Sequence, residues 1–166
     1  MEIMTYNCNG MGSLIKRRRI LNKAGSIVRG GGIVMLQETH LTKIEQITSS
    51  YKENFELSNY KSNSAGVITL FSKDFEVLYN TRDEVGRKLF TVVQNRNEKY
   101  LLINIYCPND HRTSIDFIEE VYLKTVEILN DFPDCYIILA GDFNCCMSNN
   151  DYLNRNKSTV ENELTL

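Results

Sequence analysis

Apolar side chains recur at Ile20, Leu21, Ala24, Ile27 and Val28, the spacing of one helix face. A helix is predicted there, stopped by Gly30-Gly31-Gly32, because glycine takes a left-handed cap without strain. Ahead of it, Glu2–Tyr6 is extended in character and runs into the polar turn Asn7-Cys8-Asn9-Gly10. Behind it, Ile33-Val34-Met35-Leu36 is an unbroken apolar run, the pattern of a strand buried on both faces. Residues 42–54 carry a weaker, more polar helical pattern. Ala65–Ser72, Phe75–Tyr79, Leu89–Gln94 and Tyr100–Tyr106 are β-rich runs between polar turns, with Arg96-Asn97-Glu98 as a hairpin connection. A last helix is predicted after Pro108-Asn109. Thr113 and Asp116 fit a capping box, and Ile118, Val121, Tyr122 and Leu129 supply the apolar face. Pro133 ends it, and Cys135–Ala140 returns as a strand.

The element order predicts β-α-β units at the flanks and an antiparallel middle. Two sheets inside with helices outside satisfy that order. From about Asn144 the chain turns polar, through Ser148-Asn149-Asn150-Asp151 and Asn154–Ser158. No internal repeat or interdomain linker is visible, so the 166 residues are expected to form one domain.

Bulk composition narrows the partners. With 19 basic and 21 acidic residues, nucleic-acid binding needs a local patch instead of a global field. No run nears the roughly 18 apolar residues of a membrane-spanning helix, and no basic-then-apolar leader opens the chain. The five cysteines are odd in number and contain no C-x-x-C pair, which disfavours a disulfide framework or a zinc site. Reduced thiols in an intracellular protein are expected.

The candidate chemistry sits where the apolar runs stop. One ends in Asn7 and Asn9, one in Gln37 and Glu38, one in Tyr106 and Asn109, and one in Asp142 and Asn144. In sheets built with crossovers, ligands gather at the carboxyl ends of strands. Two carboxylates among amide oxygens make a hard, all-oxygen environment suited to Mg²⁺ or Mn²⁺. Amide and phenol donors suit phosphate oxygens. The set points to phosphodiester or phosphomonoester hydrolysis, while strand ends leaving a core supply such residues for purely structural reasons as well.

These segments resemble the endonuclease/exonuclease/phosphatase superfamily, above all the apurinic-type endonuclease domain of non-LTR (LINE) retrotransposons. The likeness lies in Tyr6-Asn7-Cys8-Asn9-Gly10-Met11 with Lys16-Arg17-Arg18-Arg19, and in Leu36-Gln37-Glu38-Thr39-His40-Leu41. It continues through Ala65-Gly66-Val67, Asn104-Ile105-Tyr106-Cys107-Pro108-Asn109 and Gly141-Asp142-Phe143-Asn144. The resemblance implies a four-layer α/β sandwich of the DNase I-like type. It implies that Glu38 binds the catalytic divalent metal, with Asn7 beside metal and phosphate. Tyr106 would contact the scissile phosphate, Asp142 activate the attacking water, and Asn144 hold the phosphate in its transition state. Asn9, Asn109 and Arg17 are expected to contact substrate.

The family pattern continues with a Ser-x-x-Asp-type motif and closes with Ser-Asp-His. Neither occurs before Leu166, so a domain truncated at its C-terminus is expected. The function implied is a Mg²⁺-dependent DNA-nicking endonuclease of a retrotransposon, paired with a reverse transcriptase encoded downstream and acting in the nucleus. The alternatives are a catalytically inactive truncated remnant and a phosphatase or phosphodiesterase of the same superfamily.

Other features admit plainer readings. Lys16–Arg19 fits a DNA-phosphate contact or a solvated helix face equally well, and Arg112 and Arg155 are single candidates of the same kind. Asp110 and His111 are adjacent and expected to point apart on a loop. His40 is expected to hydrogen-bond at a strand end. Cys145 and Cys146 are expected to pack, and Phe143 to anchor its loop. Gly30–Gly32 lacks the Lys-Ser/Thr ending of a phosphate loop and precedes a strand.

Overall fold

The computed structural model describes residues 1–49, 51–58 and 64–145. Strands are β1 (Ile3–Asn7), β2 (Ile33–Gln37), β3 (Asn54–Ser58), β4 (Val67–Phe71), β5 (Glu76–Arg82), β6 (Lys88–Asn95), β7 (Glu98–Tyr106) and β8 (Cys135–Asp142). Helices are α1 (Leu14–Arg29), the short α2 (Glu45–Thr48) and α3 (His111–Asp131). One sheet has the order β1-β2-β4-β3 and the other β5-β6-β7-β8. The pairs β1/β2 and β7/β8 are parallel, joined across α1 and α3 respectively. All other pairs are antiparallel.

The side-chain period of a strand builds the layers. On β2, Val34 and Leu36 pack under Leu21, Ala24 and Val28 of α1, while Ile33 and Met35 face the second sheet. On β7, Leu101, Ile103 and Ile105 pack under Phe117, Val121 and Ile128 of α3, while Leu102 faces the first sheet. Both faces of these strands are therefore dry, which is why their sequences read as unbroken apolar runs. The result is helix, sheet, sheet, helix: a DNase I-like α/β sandwich.

Four local expectations are corrected. The helix predicted over 42–54 shrinks to the single turn Glu45–Thr48, and a strand not expected from the sequence, Asn54–Ser58, pairs with β4 at the sheet edge. Helix α3 begins earlier than Thr113. Its cap is Asp110, whose carboxylate accepts from the Thr113 N–H at 3.0 Å, so Asp110 is a helix cap and not loop surface. The apolar face of α3 is rotated. Phe117, Val121 and Ile128 are buried, whereas Ile118 and Tyr122 are exposed. Phe143 is also exposed, so it is not buried as an anchor of its loop. Arg155 and Cys146 lie outside the described residues.

Candidate active site

The parallel registers deliver the polar strand ends to one place. Tyr106 lies opposite Asp142 on β7 and β8, and Asn7 lies opposite Gln37 on β1 and β2, one residue before Glu38. Both pairs of carboxyl ends meet where β1 of one sheet approaches β8 of the other.

Asn7 joins the two sheets chemically. Its Nδ2 donates to Glu38 Oε1 at 2.8 Å and to Asp142 Oδ2 at 2.7 Å. Hydrogen bonds to ionised oxygens are among the stronger kind. Asn7 Oδ1 accepts from the Asn9 N–H at 2.8 Å, which fixes the amide orientation. Asn144 is held twice. Its N–H donates to Asp142 Oδ1 at 2.9 Å, and its Nδ2 donates to the Cys107 carbonyl at 2.6 Å. The Tyr106 hydroxyl is hydrogen-bonded to Glu38. Burial first, and that carboxylate second, push the phenol above its ordinary range, so it stays a proton donor at neutral pH. His40 Nε2 lies 3.6 Å from Glu38 Oε2, a strand-end contact to the acid's second oxygen.

The loops carrying these groups are laid against one another by their backbones. The Cys8, Gly10 and Met11 N–H groups donate to the carbonyls of Gln37, Glu38 and Thr39 at 2.7, 2.7 and 2.8 Å. Asn9, Glu38, His40 and Asn144 all adopt positive φ. Gly141 is required by a close approach: a Cβ there would fall 2.1 Å from the Ile105 carbonyl oxygen.

Beneath the acids lies a buried polar network that links the sheets. Asn104 Nδ2 donates to the Ile68 carbonyl at 2.9 Å, and Asn104 Oδ1 accepts from Gln37 Nε2 at 2.8 Å. Gln37 Nε2 also donates to Thr5 Oγ1 at 3.1 Å. In the sequence Asn104 stands only as the first residue of the segment that runs to Asn109. An amide inside the apolar run Leu101–Ile105 was the available signal for its packing role. Arg87, whose guanidinium carbon lies 4.5 Å from the Tyr106 ring centroid, had no sequence signal at all.

Not every candidate joins the cluster. Asn9 is exposed at its rim and Asn109 is exposed on the loop between β7 and α3. Arg17 is buried on the inner face of α1, in phase with Leu21, Ala24 and Val28. Its Nη1 donates to the carbonyls of Met11 and Gly12 at 2.9 and 3.0 Å. The expectation of a substrate contact does not fit that placement: helix phase turns Arg17 inward, where it braces the loop that follows Asn7. Arg18 and Arg19 are exposed beside it. Cys145 is exposed, not packed.

Chemically, two carboxylates converge on a single amide nitrogen, with a phenol against one and an amide pinned to the other. Among the described residues no three acid, imidazole or thiol groups come together. The oxygens of Glu38 and Asp142 nevertheless suit a hard divalent cation. Asn7 presents its nitrogen to the acids, so for it to serve as a ligand its amide must rotate and release the Asn9 N–H.

Fold and site together define a layered α/β protein with an acid, amide and phenol cluster at converging strand ends. The chain belongs to the Endonuclease/Exonuclease/phosphatase family, whose pattern matches residues 4–162. It is similar in fold to the catalytic domain of Xenopus laevis APE2 (18% identity, TM-score 0.63, 87% of this chain and 59% of that one). It is also similar to D. rerio TDP2 complexed with single strand DNA product (20%, 0.61, 87% and 60%). A third likeness is the mannosyl-6-phosphatase of Bacteroides thetaiotaomicron (15%, 0.65, 86% and 64%). The chain thus spans between 59% and 64% of the length of these three structures. The superfamily comprises nucleases, phosphodiesterases and phosphatases, typically dependent on a divalent metal.

Proposed function

We propose that this chain carries the phosphodiester-hydrolysing site of a Mg²⁺- or Mn²⁺-dependent DNA-nicking endonuclease of the non-LTR retrotransposon type. The observation that carries the reading is the Asn7 amide bound simultaneously to Glu38 and Asp142, which draws two acids from separate sheets to one point. A divalent cation held by Glu38 would polarise a phosphoryl oxygen and offset charge on the leaving oxygen. Asp142 would accept a proton from water, a role supported by its contact with Asn7, which keeps the carboxylate oriented. The Asn144 amide is a donor suited to a phosphate oxygen, and the Tyr106 hydroxyl would become one when a cation takes Glu38 from it. Exposed Arg18 and Arg19, near the loop that follows Asn7, favour a polyanionic substrate over a small phosphoester. The DNA product in the D. rerio TDP2 complex shows that a protein of this fold can engage nucleic acid.

A second reading is a scaffold retained without activity. It is favoured by the outer edges of β1 and β8, which no strand among the described residues pairs, and by exposed Ile3, Ile137 and Leu139 on them, since sheet edges are ordinarily covered or charged. The test is nicking of supercoiled plasmid with Mg²⁺ by the chain, by a Glu38→Ala variant and by a form extended beyond Leu166. Magnesium-dependent nicking that disappears in Glu38→Ala supports hydrolysis at this site. Nicking that survives Glu38→Ala overturns it. A folded chain and extended form that both leave plasmid intact support the inactive scaffold.

A further inference from the structure

Tyr106 is held from below by a residue outside every motif. The turn after β5 places Asp83 so that its Oδ1 accepts from the N–H groups of Arg87 and Lys88 at 2.9 and 3.1 Å, and from Ser58 Oγ at 3.0 Å. That clamp presents the Arg87 carbonyl to the Tyr106 N–H at 2.8 Å. The Arg87 side chain then folds back. Its Nη1 donates to the Tyr106 carbonyl at 3.2 Å, and its guanidinium lies over the phenol face, 4.5 Å from the centroid. The same turn reaches the Glu38 loop from the other side. Gly86 accepts from the Gly66 N–H at 2.8 Å, and Gly66 in turn accepts from the Thr39 N–H at 3.0 Å.

We infer that Arg87 is the positioning residue for Tyr106, setting the ring plane that aims the hydroxyl at Glu38. A tyrosine ring hinges about its side-chain bonds, and the strand pairing of β7 fixes only its backbone. A planar cation against one face removes that freedom and does so better than an ammonium, which lacks the flat fork. Among the described residues Arg87 forms no ion pair with a carboxylate, so its charge is not committed to an acid.

The inference rests on the hydrolytic reading for its kinetic arm and on the geometry alone for its structural arm. The structural arm uses the chain labelled with 3-fluorotyrosine, with the Tyr106 resonance assigned by its loss in Tyr106→Phe. The ¹⁹F resonance of Tyr106 is expected to move or broaden in Arg87→Leu and to return toward the parent position in Arg87→Lys. An unmoved resonance in Arg87→Leu overturns the inference, whether or not the chain is active. The kinetic arm is a double-mutant cycle on plasmid nicking. Arg87→Leu is expected to lower kcat about tenfold with little change in KM, and to add less than about twofold once Tyr106 is already Phe. Fully additive losses overturn it, because Arg87 would then act independently of the ring. If nicking is absent throughout, the hydrolytic reading fails and the ¹⁹F result alone decides the placement of the ring. Should Arg87→Leu not fold, Arg87→Gln, which keeps length and polarity but removes the cation, replaces it in both arms with the same expected and overturning results.

Discussion

Replacing Asn7 by leucine keeps the volume of the side chain and removes the donor that holds two acids together. The parent Nδ2 makes bonds of 2.8 and 2.7 Å to carboxylates on different sheets. A hydrogen bond to a charged group contributes about 1.5–3 kcal/mol. The Glu38 side chain keeps 20% of its accessibility, so water replaces part of what is lost and the lower end applies. Two such bonds give a loss of about 2–3 kcal/mol for Asn7→Leu. With a urea slope of about 2 kcal/mol/M, the unfolding midpoint should fall by about 1–1.5 M.

Asn7→Asp should fall further in the absence of divalent ions. It removes the same donor and sets a third carboxylate against the other two, and like charges at such separation repel by several kcal/mol even at an effective dielectric of about 20. Millimolar Mg²⁺ should then recover more stability in Asn7→Asp than in Asn7→Leu, because the cation is favoured by the added charge. The assay is urea unfolding followed by circular dichroism, with and without Mg²⁺. A midpoint for Asn7→Leu within about 0.2 M of the parent, about 0.4 kcal/mol at that slope, would refute the bridge. So would an Asn7→Asp curve unmoved by magnesium.

Three further outcomes follow from the same packing. Asn104→Leu deletes an amide with close contacts to Ile68 and Gln37 in a dry interior, and should lower stability by about 2–4 kcal/mol, read from the same urea curves. Gly141→Ala drives a Cβ into the Ile105 carbonyl at 2.1 Å, so β7 and β8 must separate at the site; expect a loss of at least about 3 kcal/mol and release of Asp142 from Asn7, seen as matching losses in stability and Mg²⁺ response. The Cys8 thiol is pushed up to about 12, by burial foremost, with Lys16 pulling it down and Glu38 up. A thiol whose pKa is raised stays protonated until pH rises through that value, so Cys8 should resist alkylation in mildly alkaline buffer while exposed Cys145 reacts, as read by peptide mass spectrometry.

Much of this arrangement was legible because it follows from period and position. Val34 and Leu36 against Ile33 and Met35 show why a doubly buried strand is an unbroken apolar run, and that run locates the strand. The polar ends at Asn7, Glu38, Tyr106 and Asp142 were visible for the same reason: each follows a run with no alternative place to stop. What could not be read is what depends on distant pairing. Asn54–Ser58 forms a strand because β4 offers it an edge, and its five residues carry too little alternation to announce it alone. On α3, Val121 and Leu129 pack on the sheet as expected, but Ile118 and Tyr122 face outward and Phe117 and Ile128 take their place, because only the position of the sheet selects between adjacent apolar stripes. Arg17 looked like a surface cation because helix phase is invisible in a run of four basic residues. Arg87 meets Tyr106 through strand pairing alone, nineteen positions earlier in the chain.

The strain at the site argues that its geometry is imposed by the backbone. Glu38 and His40 take φ of 49° and 53°, conformations that side chains with a Cβ seldom adopt. Each costs on the order of 1 kcal/mol or more and persists only where surrounding structure over-determines it. Here the determining structure is identifiable. The carbonyls of Gln37, Glu38 and Thr39 accept from the loop after β1, while the N–H groups of Thr39 and His40 donate to Gly66 and Ala65. Main-chain bonds thus hold Glu38 from both sides, so truncating its side chain should leave the loop in place. Removing Asn7 is different, because its amide is the direct side-chain link from Glu38 to Asp142. The carboxylates are therefore brought together by two separable devices, a strained but stitched loop and a single amide bridge. A substitution that disturbs the first, such as Gly66→Ala, whose Cβ would fall 2.5 Å from Thr39 Oγ1, should lower the exchange protection of the Thr39 and His40 amides, whereas Asn7→Leu should leave those amides protected. Equal loss of protection in both variants would mean that the loop depends on the bridge, and the separation argued here would be wrong.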